Sequence, residues 1–173
     1  GFCASKGTTI FMDHESNQIV HKEVGHSKEA GGSSKLGGFL FEKGLDYLLE
    51  NGVRIKEVVT DASKTLISIL AVLSYRYFFR TTWRLENFNS HSLLRYCPKR
   101  LSFSYDTYRA RNELAVLDFN AHVNRGYNDT SCGQPSVRSQ QSRRTKEWVA
   151  YRNLKEKQYS YLQGNMSQPL VNQ

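Results

Sequence analysis

Thr8-Thr9-Ile10-Phe11-Met12 and Gln18-Ile19-Val20-His21-Lys22-Glu23-Val24 read as two strands. The polar stretch Asp13 to Asn17 lies between them as a turn, which predicts a β-hairpin. Residues 25–32 read as a loop. Leu36, Leu40, Leu45 and Leu48 then recur at helical spacing, predicting a helix from Ser33 or Ser34, as cap, to about Asn51. Gly52 lies where a C′ residue belongs. Gly37, Gly38 and Gly44 each weaken this helix by about 1 kcal/mol relative to Ala. Val53 to Thr60 reads as a further strand, and Ser63 to Tyr77 as a buried helix. Hairpin, helix, strand, helix predicts a mixed α/β sheet.

Past that point the pattern is more helical. Leu85, Phe88, Ser92 and Tyr96 mark a short helix that Pro98 ends. Ser104 is placed to cap another, along Tyr105, Tyr108, Asn112, Ala115, Phe119 and Val123. Residues 125–145 are rich in Ser, Gln, Gly and Arg and read as a loop or linker. Residues 146–162 form a basic, aromatic segment, read as a strand and then a short helix, and residues 163–173 a disordered tail. The expected domain is therefore 1–124.

Composition narrows the class. In 173 residues, 39% are hydrophobic and 12% aromatic, enough to bury one core. The net charge of +8 is uneven. Residues 1–75 hold 8 Lys/Arg and 9 Asp/Glu, and residues 76–173 hold 16 and 7. A basic half of this kind suits a polyanion such as DNA, or is a solvated surface. The most apolar stretch, from Leu66 to Phe79, is broken by Ser74, Tyr75 and Arg76 and is too short for a membrane span. The first residues show no signal-peptide pattern and no initiator Met, so a fragment of a longer, non-secreted chain is expected. Cys3, Cys97 and Cys132 are odd in number and widely spaced, with neither a disulfide framework nor a zinc spacing. The five His residues include no HxxxH or HExxH, so zinc is not expected.

Two carboxylates stand out. Asp61 ends the strand Val53 to Thr60, at the rim where open α/β sheets bind ligands. It reads either as a metal ligand or as a helix N-cap. Glu86 reads as a second ligand or as a surface helix residue. Asp13 belongs to a hairpin turn, and Asp118 and Asn120 to a helix. No phosphate-cradling glycine loop is present, and neither Cys97 nor Cys132 has a visible His partner. One basic set, Arg95, Lys99, Arg100, Arg109 and Arg111, lies near Glu86 in sequence, following it. Another, including Arg143, Arg144 and Lys146, is interleaved with Trp148 and Tyr151. Cations of this kind neutralise phosphates, and aromatics stack on unpaired bases.

Three stretches in order carry a resemblance. They are Phe11-Met12-Asp13 with Gln18-Ile19-Val20; Val58-Val59-Thr60-Asp61; and Leu85-Glu86-Asn87-Phe88-Asn89-Ser90 with Tyr96-Cys97-Pro98-Lys99-Arg100 and Arg109 through Asn120. Together they resemble the nuclease domain of animal cut-and-paste transposase-like proteins of the Asp-Asp-Glu superfamily, close to those fused to a THAP finger. The resemblance implies a ribonuclease-H-like fold. It also implies a nuclear location and a pair of Mg²⁺ or Mn²⁺ ions held by three carboxylates, with Asp61 second and Glu86 third. The family's first Asp would precede Gly1. Its strand bearing Asp-x-Trp-His has no counterpart motif here, since Trp83 lacks both the Asp and the His. The expectation is thus a shortened, catalytically inactive relative with an incomplete sheet and salt-sensitive DNA binding. Its rivals are an active metal-dependent nuclease completed by an upstream Asp, and a protein-interaction domain with no nucleic-acid role.

Overall fold

A computed structural model of the chain describes residues 5–60, 63–73, 77–79 and 82–159. The fold is mixed α/β, divided into two units between Ala121 and His122.

The first unit opens with β1 (Lys6–Met12) and β2 (Ile19–His26), paired antiparallel from Lys6↔His26 to Met12↔Ile19 with an irregularity at Phe11/Met12. Their turn is fixed by Asp13, whose Oδ2 accepts the Ser16 N–H at 2.8 Å. Hydrogen bonding to Ser16 holds the Asp13 carboxyl below its ordinary pKa. Asp13 thus has the turn role expected of it.

Helix α1 (Ser33–Glu50) buries Leu36, Leu40, Phe41, Leu45 and Leu48. Its N-cap is Gly32 at φ 138°, with no side-chain cap, rather than Ser33 or Ser34. Its C-terminus follows expectation. Gly52 adopts φ 77°, its N–H donates to Leu49 O at 2.9 Å, and Val53 N–H donates to Leu48 O at 3.0 Å. That pair of bonds closes a Schellman motif.

β1 and β2 press closely on α1. A Cβ at Gly7 would meet Leu36 at 2.9 Å, and one at Gly25 would meet Leu40 at 2.6 Å. The same helix packs Phe41 and Leu45 against Leu70, with Phe11, Ile55, Val58, Leu66 and Ile69 around them.

β3 spans only Val58–Thr60; residues 53–57 are not strand. Helix α2 (Lys64–Val72) ends five residues short of Tyr77, and Tyr77–Phe79 forms β4, parallel to β3 in the register Val58↔Tyr77 to Thr60↔Phe79. This corrects the longer helix expected from Ser63 to Tyr77 and puts a strand in the sequence interval between Asp61 and Glu86. Among the described residues β1–β2 and β3–β4 are separate two-stranded sheets.

The opposite side of the hairpin is covered by helices. α3 (Trp83–Asn87) continues into a π-helical segment, Phe88–Leu93, and then α4 (Leu94–Tyr96). α5 (Tyr105–His122) follows, with Ser104 Oγ accepting the Thr107 N–H at 3.2 Å as the expected cap. Phe88, fully buried, packs edge-on against Phe119 at 5.1 Å beside Ile19 and Ala115.

The second unit was expected to open with a loop or linker over 125–145. It contains β5 (Val137–Gln141), paired antiparallel with β6 (Trp148–Arg152), so the C-terminal part is less helical than expected. No helix follows β6 among the described residues. Among the described residues no helix is long and apolar enough to cross a membrane.

Candidate functional site

The β1–β2 register decides what β1 offers beyond its partner. Ser27 N–H donates to Ser5 O at 2.8 Å, which makes the odd-numbered β1 residues the hydrogen-bonded ones. The backbone groups of Lys6, Thr8 and Ile10 therefore face away from β2.

Along this edge runs an open cleft of about 910 Å³. Lys6 and Thr8 line one side, Glu86, Asn89, Ser90 and Cys97 another, and Lys99, Arg100 and Ser102 the rim. The π-helical segment sets the middle wall. Ser90 Oγ donates to Glu86 O at 2.5 Å, and Glu86 Oε1 accepts from Thr82 Oγ1 at 3.3 Å. π turns inside helices are frequent at functional sites.

A polar network ties the cleft to α5. Thr8 Oγ1 donates to Asn112 Oδ1 at 2.9 Å and lies 3.0 Å from Tyr108 Oη. The fully buried Asn112 donates through Nδ2 to Tyr108 O at 2.8 Å and contacts Cys97 Sγ at 3.5 Å. Burial pushes the Cys97 thiol pKa up, against a smaller opposing pull from Arg111. Lys6 Nζ is anchored on Phe103 O, which fixes its charge beside the cleft.

The sequence set around Glu86 divides. Lys99 and Arg100 share the cleft with Glu86. Arg111 turns inward: Nη1 donates to Tyr96 O at 2.8 Å and the guanidinium lies 4.5 Å from the Phe103 ring centre. Arg109 borders a different pocket, beside β2, with Tyr47, Tyr105 and Glu113. Arg95 is exposed on α4 and outside the cleft lining. Arg143, Arg144, Lys146 and Trp148 belong to the second unit, all exposed around the β5–β6 turn. Asp61 lies outside the described residues. Lys6, Thr8, Tyr108 and Asn112 were not singled out as site residues from sequence. Their signal is spatial, since Thr8 and Asn112 are 104 residues apart.

A two-metal nuclease centre needs carboxylates converging on ions about 3.5–4 Å apart. Among the described residues no group of three or more His, Cys, Asp and Glu is placed to hold an ion. The described lining sets one acidic side chain, Glu86, against Lys6, Lys99 and Arg100. Among the described residues that lining carries a net positive charge, which draws anions. Comparison with protein-family models, with curated proteins and with solved structures gave no match. The functional reading rests on the chain's own residues.

Proposed function

We propose that this chain is a ribonuclease-H-like, transposase-derived domain that holds duplex DNA without cutting it. The observation that carries the reading is the cleft beside β1, whose described lining holds three cationic side chains, Lys6, Lys99 and Arg100, and one carboxylate, Glu86. Lys and Arg at such a rim neutralise phosphates and release counterions. The Asn89 amide and the Ser102 hydroxyl add neutral donors that phosphate oxygens and sugars accept. The order of elements supports the lineage: an antiparallel hairpin, a helix, a strand ending at Thr60 before Asp61, a helix, a parallel strand, and a helix bearing Glu86. Nuclear residence belongs to the same reading.

Fluorescence anisotropy of the full chain on a labelled duplex, repeated across a salt series, tests it. Affinity should fall steeply as salt rises, and the double variant Lys99→Ala/Arg100→Ala should flatten the log–log slope by about 2. Glu86→Gln removes a negative charge from the lining and should tighten binding roughly twofold or more. Binding that ignores salt, or no binding at all, overturns the proposal.

A further inference from the structure

The β5–β6 hairpin is exposed at every residue of both strands. A two-stranded ribbon alone is marginally stable in water, so one that buries neither face calls for a reason. Its charge is one-sided. Residues 137–152 carry Arg138, Arg143, Arg144, Lys146 and Arg152 against a single acidic residue, Glu147.

The tip is well ordered by its own bonds. Ser142 N–H donates to Glu147 O at 2.8 Å and Lys146 N–H to Ser142 O at 2.9 Å. Gln141 Nε2 donates to Lys146 O at 2.8 Å, and Lys146 adopts φ 61°. Arg143, Arg144 and Lys146 are thereby held out from the tip. No acidic side chain lies within ion-pair reach of any of the three among the described residues.

The two faces differ. Strand alternation groups Arg152, Ala150 and Trp148 with Val137, Ser139 and Gln141. That face is in use at its base, where Arg152 Nη2 sits 3.5 Å from Asp129 Oδ1 and its guanidinium 4.4 Å from the Tyr127 ring centre. The other face presents Arg138 beside Tyr151 and Gln140 beside Val149, exposed.

We infer that the β5–β6 hairpin enters the major groove of duplex DNA as a two-stranded ribbon. This rests on the DNA-binding reading and names the element and groove it uses. The major groove, about 12 Å wide, admits a ribbon whose strands lie about 4.8 Å apart. Arg143, Arg144 and Lys146 grip phosphates at the tip. Arg138 and Gln140 face base edges, where Arg pairs with guanine O6/N7 and Gln with adenine N6/N7. Val149, on the same face, supplies the apolar contact that a thymine methyl accepts.

The test uses the full chain and three labelled probes: a duplex, its single strand, and the same duplex with glucosylated hydroxymethylcytosines filling the major groove. The wild type should bind the plain duplex at least about tenfold more tightly than either alternative. Arg143→Ala/Arg144→Ala/Lys146→Ala should flatten the salt slope by about 3. Equal affinity for the filled duplex or the single strand overturns the groove assignment, whatever the variants do. If the triple variant keeps wild-type affinity while Lys99→Ala/Arg100→Ala loses it, the hairpin inference fails and the DNA reading survives. If the wild type binds none of the probes, both fail together.

Discussion

The side chain of Asn120 bonds both backbone groups of Ile19. Its Oδ1 accepts the Ile19 N–H at 2.8 Å, and its Nδ2 donates to the Ile19 carbonyl at 2.8 Å. A helix side chain thus takes the place of a neighbouring strand at the start of β2. Ile19 is itself buried against Phe88 and Ala115, so water is a poor substitute partner. Asn120→Ala should cost about 1–3 kcal/mol in urea unfolding, because two backbone groups lose their partner. Asn120→Asp should also destabilise, since a carboxylate oxygen then faces the Ile19 carbonyl. Wild-type stability in both variants would show that the bridge contributes nothing.

Two glycines in one helix should respond in opposite ways. Nothing lies within 4 Å of a Cβ built at Gly37, so Gly37→Ala should stabilise by about 0.5–1 kcal/mol through helix propensity. At Gly44 the added carbon would meet the Phe11 ring at 2.3 Å, and that ring is stacked 5.6 Å from Phe41. Gly44→Ala should destabilise by roughly 1–3 kcal/mol despite the better propensity. Thermal unfolding of the two variants decides; a gain at Gly44 would mean that the ring moves aside freely.

Asp13 gives a pH dependence of known sign. Its folded pKa lies below the ordinary value because Ser16 hydrogen-bonds the ionised form. Its contribution is therefore complete above the unfolded value, near 4, and is lost as pH falls through the lower folded value. Asp13→Asn keeps an acceptor for the turn and removes the titration. The difference in melting temperature between wild type and this variant should narrow as pH falls from above the unfolded value through the lower folded one; a constant difference would exclude Asp13 as the source.

The thiols should separate by reactivity. Cys97 is buried and its pKa raised; Cys132 is exposed, and its pKa is lowered by hydrogen bonding from Thr130 and the Gln134 backbone. Thiolate is the reacting form. Brief iodoacetamide treatment followed by peptide mass spectrometry should find Cys132 modified well before Cys97, with the order collapsing in denaturant. Equal native rates would mean that the Cys97 pocket opens readily.

Where burial is one-sided, the sequence was readable. Leu36, Leu40, Leu45 and Leu48 are all buried in α1, at the spacing that marked them, and Gly52 terminates that helix as its position implied. β4 was hidden because Tyr77-Phe78-Phe79 extends an apolar run with no alternation, and three residues are too few to set a period. β5 was hidden for the opposite reason: Val137-Arg138-Ser139-Gln140-Gln141 buries neither face, so no inside–outside contrast was written into it. The π turn escaped because Phe88 and Tyr96 also satisfy ordinary helical spacing. At the cleft, Glu86, Lys99 and Arg100 were visible as charges near one another in sequence. Lys6, Thr8 and Asn112 were not, since the fold alone brings residues so distant in sequence together.

The outward amides and carbonyls of Thr8 and Ile10 have a consequence for handling the protein. A row of main-chain groups turned away from its partner strand is a template on which an extended chain can lie down, another molecule of the same protein included. Crowding the sample invites that stacking, and Lys6, at the head of the row, is the charge that discourages it. Concentrated stocks should therefore cloud sooner when Lys6 is neutralised than when a lysine on α1 is.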